Sequence, residues 1–482
     1  MKKITLIIFS TVFSIYSSYG QFTTMFNDTI QSFGTLNSVC QDDSFYYVIG
    51  GLNNSILKID KQGSIVEKRK FTYSGFYFQA FSYNSVVLNG SSIVSCGQAN
   101  DTTNKVTGVV VSVDKHSLDT LWFKNYESPD TNGAYQFSEN TAIKTTPDGG
   151  YIVTGNFHDN SVSKSRSYLM KIDSVGGVEW RRTYNNYYTF FDIEVASDSG
   201  YFVPSGLNGT NALQLVKFDS QGVYQWKVGV TSNVNAGYPM SVTIHDDNFA
   251  ILGFNYLYDI SNFLSAVVVA KVDLNTKSLL WEKNYYTFHS FECLTLHQAM
   301  GVETLPNGDI IVSGTAIENS MKGVILKLNS NGDSLWTKTY NYSPLNSYDC
   351  QLNDLIVCDD GGFMGVGFLS DQGGSGWTAW MFKTDSNGVV GFENPKEKGK
   401  SEKLKVWPNP SKDYTTISIT QTLYQESEII IYSSLGQIVK TLSLQKQQQE
   451  IEINLQGFEV GLYYFELRTV NKIIGTGKFV KE

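Results

Sequence analysis

The stretch TTPDGGYIVTG at 145–155 returns almost unchanged as TLPNGDIIVSG at 304–314. A chain that repeats itself at a fixed step is built from supersecondary units, each burying its apolar face against the next copy. The repetition therefore limits the fold more than any single motif does. Seven glycines close strands of this kind, Gly51, Gly97, Gly155, Gly206, Gly253, Gly314 and Gly367, and they recur about every 53 residues. The two similar stretches are three steps apart.

A second marker follows each glycine: KID at 58–60, SVD at 112–114, KID at 171–173, KFD at 217–219, KVD at 271–273, KLN at 327–329 and KTD at 383–385. In most copies a glycine stands three residues beyond the acidic position or its Asn, at Gly63, Gly176, Gly222, Gly332 and Gly388. That is the chemistry of tight hairpin turns. A third marker is a strand with Trp near its start, as in LWFKNY (121–126), EWRRTY (179–184), QWKVGV (225–230), LWEKNY (280–285) and LWTKTY (335–340). Four strands every ~50 residues, with no helical periodicity, describe an all-β chain of the β-propeller kind. The apolar middle strands suit sheets covered on both faces.

The span 21–390 holds about seven units, so a seven-bladed ring is expected. An open solenoid or a row of sandwiches is the competing arrangement, and the first two units carry the weakest markers. The last unit stops at KTDSNGVVGFENP without a Trp-type strand, while FTTMFND at 22–28 is a strand without a unit. Placed at the edge of the last sheet, it would close the ring and remove an exposed edge. The repeats resemble those of secreted bacterial propellers of the DGGY…G…L.K.D..G…W…Y kind over about 35–390. That resemblance implies a fold and brings no catalytic motif.

Residues 1–20, MKKITLIIFSTVFSIYSSYG, run from Lys2 and Lys3 through an apolar stretch to small residues, the order of a secretory leader with cleavage before Gln21. The apolar run is shorter than the ~20 residues of a spanning helix. No cysteine follows to carry a lipid, and no later stretch is apolar for long enough, so the mature chain is expected to have no transmembrane segment. A net charge of −9 disfavours nucleic acid, whose phosphates require clustered Lys and Arg. With 17% charged and 14% aromatic residues the chain is also too apolar for disorder.

Residues 391–404 are charged and turn-rich, as in an interdomain linker. Beyond them VWPNPSKDYTTISI, EIIIYSSLGQIVKT, QEIEINL, VGLYYFELRTVN and GTGKFVKE read as short strands of a small, Ig-like β-sandwich over 405–482. This segment resembles the type A sorting domain of the type IX secretion system. The likeness rests on Pro408, Asn409 and Pro410, on IYSSLGQIV with Gly436, on GLYYFEL with Gly461 and Tyr463, and on GKFVK with Lys478 and Lys481. It implies export by outer-membrane secretion machinery of Bacteroidetes-type bacteria, then release to the medium or attachment to the surface. The competing reading is an ordinary sandwich serving as a binding module.

Catalytic signals are weak. His289, Cys293 and His297 stand four apart, but between strands, where a helical metal face is not expected. Asp246 with Asp247, and Asp359 with Asp360, occupy the place of PDG and PNG turns. No GxSxG, HExxH or DxDxDG is present, so neither cofactor nor metal is expected. Acids from different blades could still converge on the channel in a glycosidase, and a secreted hydrolase or lyase is the alternative to a binding protein. Cys40, Cys96, Cys293, Cys350 and Cys358 are odd in number without CxxC spacing, and read mostly as buried small apolar residues. A disulfide from Cys350 to Cys358 or Cys293 is conceivable in an exported chain.

The turns of a propeller unit alternate between two ends. Here the tight PDG and NSNG turns fall at one end, and the longer connections at the other are rich in Tyr, Phe and Asn, as in YNNYYTFF (184–191) and FNYLYDISNF (254–263). Long loops on a rigid scaffold carry function, and Tyr suits recognition. Tyr187, Tyr188, Tyr256 and Tyr258 are therefore the candidate contacts for a glycan or a surface protein.

Overall fold

The structure is a computed structural model of the 482-residue chain. It describes residues 22–26, 34–50, 55–71, 77–80, 84–100, 105–129, 137–185, 187–207, 213–231, 236–259, 264–289, 301–317, 321–340, 348–371, 377–390, 404–419, 427–433, 438–446, 448–469 and 472–482. The chain divides into two compact units, with the change between Glu393 and Asn394. Among the described residues there is no helix long and apolar enough to cross a membrane.

The acidic position of the second sequence marker explains why each unit turns where it does. Asp173 accepts hydrogen bonds from the backbone N–H of Val175 and Gly177, and Asp219 does the same for Gln221 and Val223. Asn329 and Asp385 repeat the arrangement. Such a side chain acts as one rung of the turn and leaves the glycine after it in the left-handed region. Gly332 sits at φ 79° and Gly388 at φ 71°, conformations that cost a β-carbon dearly. The marker's lysine looks across its own sheet to the turn between the first two strands: Lys217 meets Asp198 at 2.6 Å and Lys383 meets Asp360 at 2.7 Å.

These turns connect antiparallel strands into seven sheets among the described residues. The third is representative, with Ser138–Thr145, Tyr151–Asp159, Lys164–Ile172 and Val178–Tyr184 in sequence order. In the second and fourth sheets the first strand is broken, into Tyr77–Ala80 with Val86–Asn89 and into Tyr187–Phe190 with Glu194–Val195. The seventh sheet, Tyr348–Val357, Phe363–Asp371 and Trp377–Lys383, takes its fourth strand from the other end of the chain. Phe22–Phe26 pairs antiparallel with Trp377–Lys383, from Phe22 opposite Lys383 to Phe26 opposite Ala379. The orphan strand of the sequence thus occupies the edge expected of it.

First strands of successive sheets touch one another in turn, and Tyr348–Val357 returns to Leu36–Gln41 of the first sheet. The sheets therefore form a closed propeller. Between each pair of neighbours lies an apolar cluster. Ile325 of the sixth sheet meets Leu352, Trp380 and Phe382 of the seventh, whose Met364, Val366 and Met381 meet Val39, Val48 and Leu57 of the first. Trp380 is 1% exposed, and truncating a side chain this large and buried costs about 3–5 kcal/mol.

The outer-strand marker belongs to the same packing. Tyr126, Tyr184, Tyr285 and Tyr340 each donate the phenol hydrogen to the carbonyl of the turn glycine in the following sheet: Gly176, Gly222, Gly332 and Gly388. The indoles press on the same glycines, and a β-carbon on Gly332 would stand 2.9 Å from the Trp281 ring. Each outer strand grips the next sheet, which is why Trp, Tyr and Gly recur together.

Among the described residues Cys40, Cys96, Cys350 and Cys358 are not joined to one another by a disulfide, and the last three are buried; Cys293 lies outside the described residues. A core of this size needs no covalent staple.

The second unit has two sheets of its own. Lys405–Trp407, Tyr414–Ser418 and Glu450–Asn454 form one, and Ile438–Leu444, Ser427–Ser433, Gly461–Thr469 and Lys472–Lys481 the other. Ile417, Ile429, Ile453, Phe465 and Phe479 make up the core between them.

Candidate functional site

The tyrosine-rich connections are shorter than the sequence suggests, because strand claims part of them. Tyr187 and Tyr188 lie in Tyr187–Phe190, where Tyr187 pairs with Leu207. Tyr256 and Tyr258 lie in Phe249–Asp259, where Tyr256 pairs with both Gly237 and Ala266. Aromatic residues favour a pleated surface, and runs of Tyr and Phe carry the hairpins beyond the point where a loop is expected. The four tyrosines thus occupy strands, not loops, at the end away from the tight turns. Asp246 and Asp247 stand at φ 50° and 55° in a turn, and Asp360 caps Gly362 of another. His289 ends Ser278–His289, while Cys293 and His297 lie outside the described residues. No group of three or more His, Cys, Asp or Glu that could hold a metal ion occurs among the described residues.

What the structure brings together is a polar cluster contributed by first strands. Lys144 donates to Glu194 at 2.6 Å and to Asn84 at 3.0 Å, and Asn84 donates in turn to Asp192 at 2.9 Å. The other lone pairs of Asp192 accept from the N–H groups of Ile193 and Val242 and from the hydroxyl of Ser241, on the next sheet. Three sheets away Asp354 repeats the contact, accepting from Ser38, Val39 and Leu355, and so joins the seventh sheet to the first. Burial works against the charge of Lys144, but Glu194, Asp192 and Glu303 outweigh it and hold the ammonium above its usual range. The second, third, fourth and fifth sheets are thereby tied by one network.

Burial pushes the carboxyls of Asp192 and Asp354 up to about 6, against the opposing pull of Lys144 on both. Between the unfolded value of ~3.9 and about 6 the native state holds the extra proton, so stability falls as pH rises through this window. Each carboxyl is expected to contribute on the order of 2–3 kcal/mol that is present below about pH 4 and lost by pH 7. Urea unfolding at pH 4.5 and pH 7 measures the difference. The double variant Asp192→Asn, Asp354→Asn should show a flatter dependence than the natural chain, and an unchanged slope would contradict this origin.

Glu139 sits towards the opposite end of the strand that carries Lys144. Burial raises its carboxyl to about 7, against a single amide donor, Asn156, at 3.3 Å. That amide is itself fixed by Ser167 and the N–H of Phe190. Nothing in SENTAIKT separates this Glu from a surface one. Only burial does.

In the second unit the motif residues hold the ends of the module together. The Asn409 side chain accepts from the N–H of Val480 at 2.9 Å and donates to the carbonyl of Lys478 at 3.1 Å, in place of a neighbouring strand. Pro408 and Pro410 flank it, and the carbonyl of Pro408 accepts from Thr415. Tyr463 stacks on Phe479 with centroids 5.5 Å apart and donates to the carbonyl of Glu459. Gly461 opens its strand opposite Lys481, Lys478 is exposed, and Gly436 lies outside the described residues.

Residues 405–482 match the family described as the secretion system C-terminal sorting domain. The chain is also 31% identical over 133 residues to Beta-agarase A of Zobellia galactanivorans, a match covering 25% of this chain and 22% of that protein. It thus spans about a fifth of the length of the curated relative. Similar solved structures include a protein of unknown function from Bacteroides caccae, with TM-score 0.39 and 15% identity over 62% of this chain and 94% of that one. The WD40 domain of Neurospora crassa Pan2 has TM-score 0.42 and 11% identity over 72% and 89%. The β-propeller domain of the Trilobed protease from Pyrococcus furiosus has TM-score 0.37 and 8% identity over 72% and 90%. The C-terminal domain marks the chain for handling by secretion machinery, and its destination is the cell surface or the medium.

Proposed function

We propose that the propeller is a non-catalytic binding domain for glycan, delivered outside the cell by the domain that follows it. The observation that carries this reading is the engagement of the buried acids. A glycosidase presents two carboxyl groups to a scissile bond, whereas here Asp192 accepts four hydrogen bonds and Asp354 three, all from the protein. Both tie sheets together, with all four acceptor sites of Asp192 and three of the four of Asp354 engaged by the protein. Tyr187, Tyr188, Tyr256 and Tyr258 remain the proposed contacts at the end away from the tight turns. Partial similarity to an agarase adds a polysaccharide context, without extending to that enzyme's activity.

Retention of the purified mature chain on agarose, cellulose and starch, with reducing ends assayed in the same tubes, tests the reading. Retention without release of reducing ends is expected, weakened about tenfold or more when all four tyrosines become alanine. A hydrolase or lyase is the second reading, and Glu139 is what favours it, as a carboxyl poised near neutrality is suited to general acid catalysis. Release of sugar that disappears in Glu139→Gln would establish it in place of the first.

A further inference from the structure

We propose that Trp377 is a stacking platform for a neutral pyranose ring, a more specific claim that rests on the glycan-binding reading above. The outer-strand tryptophans are accounted for by their grip on the next sheet, and Trp380 is core. Trp377 is neither. Six residues before the lysine of its marker, it has Ser165, Ser265 and Met321 as counterparts in other sheets. No aromatic recurs at this position, so the repeat does not require one.

Its setting differs from that of a residue left over on a surface. Trp377 is 55% exposed, while Trp380, three residues on, is 1% exposed. It opens Trp377–Lys383, which places it at the end of the sheet away from the tight turns, the end that carries the four tyrosines. Phe368 lies against the indole, centroids 5.2 Å apart and planes at 34°. The backbone of Gly34 runs beside the base of this side chain, where an added β-carbon would stand 3.7 Å from the Cβ of Trp377. An indole packed against Phe368 and more than half exposed offers a flat apolar face for stacking.

The ligand class follows from charge and shape. A pyranose presents a face of C–H groups to an aromatic ring and a rim of hydroxyls to polar neighbours. Ser370, opposite Trp377 in the strand register, is half-buried and positioned beside such a rim. A chain of net charge −9 works against polyanions and favours neutral glycans over them.

The test uses the mature chain with Trp377→Ala and Trp377→Phe, retained on agarose, cellulose and starch, then titrated with hexasaccharides of the retaining polymer. Alanine should weaken binding tenfold or more and phenylalanine by no more than a few fold, with both variants unfolding at the temperature of the natural chain. Equal binding by Trp377→Ala overturns the platform and leaves the binding reading standing. Failure of the natural chain to be retained by any of the three overturns that reading itself. Self-association in sedimentation that Trp377→Ala abolishes would reassign the surface to a contact between copies, and would also overturn the platform.

Discussion

A chain that ends at residue 404 is expected to leave the cytoplasm and go no further than the periplasm. The second unit encloses its own core, with Ile417, Phe465 and Phe479 at its centre. Its loss should therefore spare the fold of the ring and abolish delivery, because the matched sorting family covers all of 405–482. Fractionation followed by blotting of medium, surface and periplasm reads the outcome. Undiminished protein in the medium would mean that this domain is a binding module and that another signal directs export. Asn409→Ala offers a milder version: it removes the two bonds to the last strand and should lower delivery without changing the ring.

The second large effect is expected from deleting residues 21–28. Five register pairs from Phe22 to Phe26 would disappear from the seventh sheet. At about 1 kcal/mol for each backbone hydrogen bond, the loss is on the order of 3–5 kcal/mol, a large part of the stability of an ordinary domain. The larger consequence is the bare edge of Trp377–Lys383, which any extended segment can join. The shortened chain should melt earlier and elute as oligomers at concentrations where the natural chain is monodisperse. Added peptide FTTMFND should restore the single species. A shortened chain as stable and as uniform as the original would show that the closing strand contributes little.

Much of the architecture was readable because each repeat marker has a local physical cause. Asp219 rigidifies its turn, Gly332 accepts a positive φ, and Trp281 with Tyr285 presses on the next turn, so spacing alone announces four-stranded units. The polar cluster was not readable, for the opposite reason. Asn84, Lys144 and Asp192 come from three sheets, and they meet only because first strands converge. Trp377 does not stand out in WTAWMFK, which reads as one more apolar strand. Whether an aromatic is core or platform depends on its position relative to the end of the sheet, and periodicity does not encode that. Tyr187 and Tyr256 read as loop because they lie between repeat markers, whereas strands continue as long as partners are available for pairing.

The pairing of residues 22–26 with 379–383 sets an order of events. The strand Phe22–Phe26 has to wait for the last sheet, so the circle cannot be completed before Trp377–Lys383 has formed. Such remote pairing makes the final step slow, and until it occurs the molecule is a curved row with a sticky beginning and a sticky end. While it remains open, both ends are available for pairing with other extended chains.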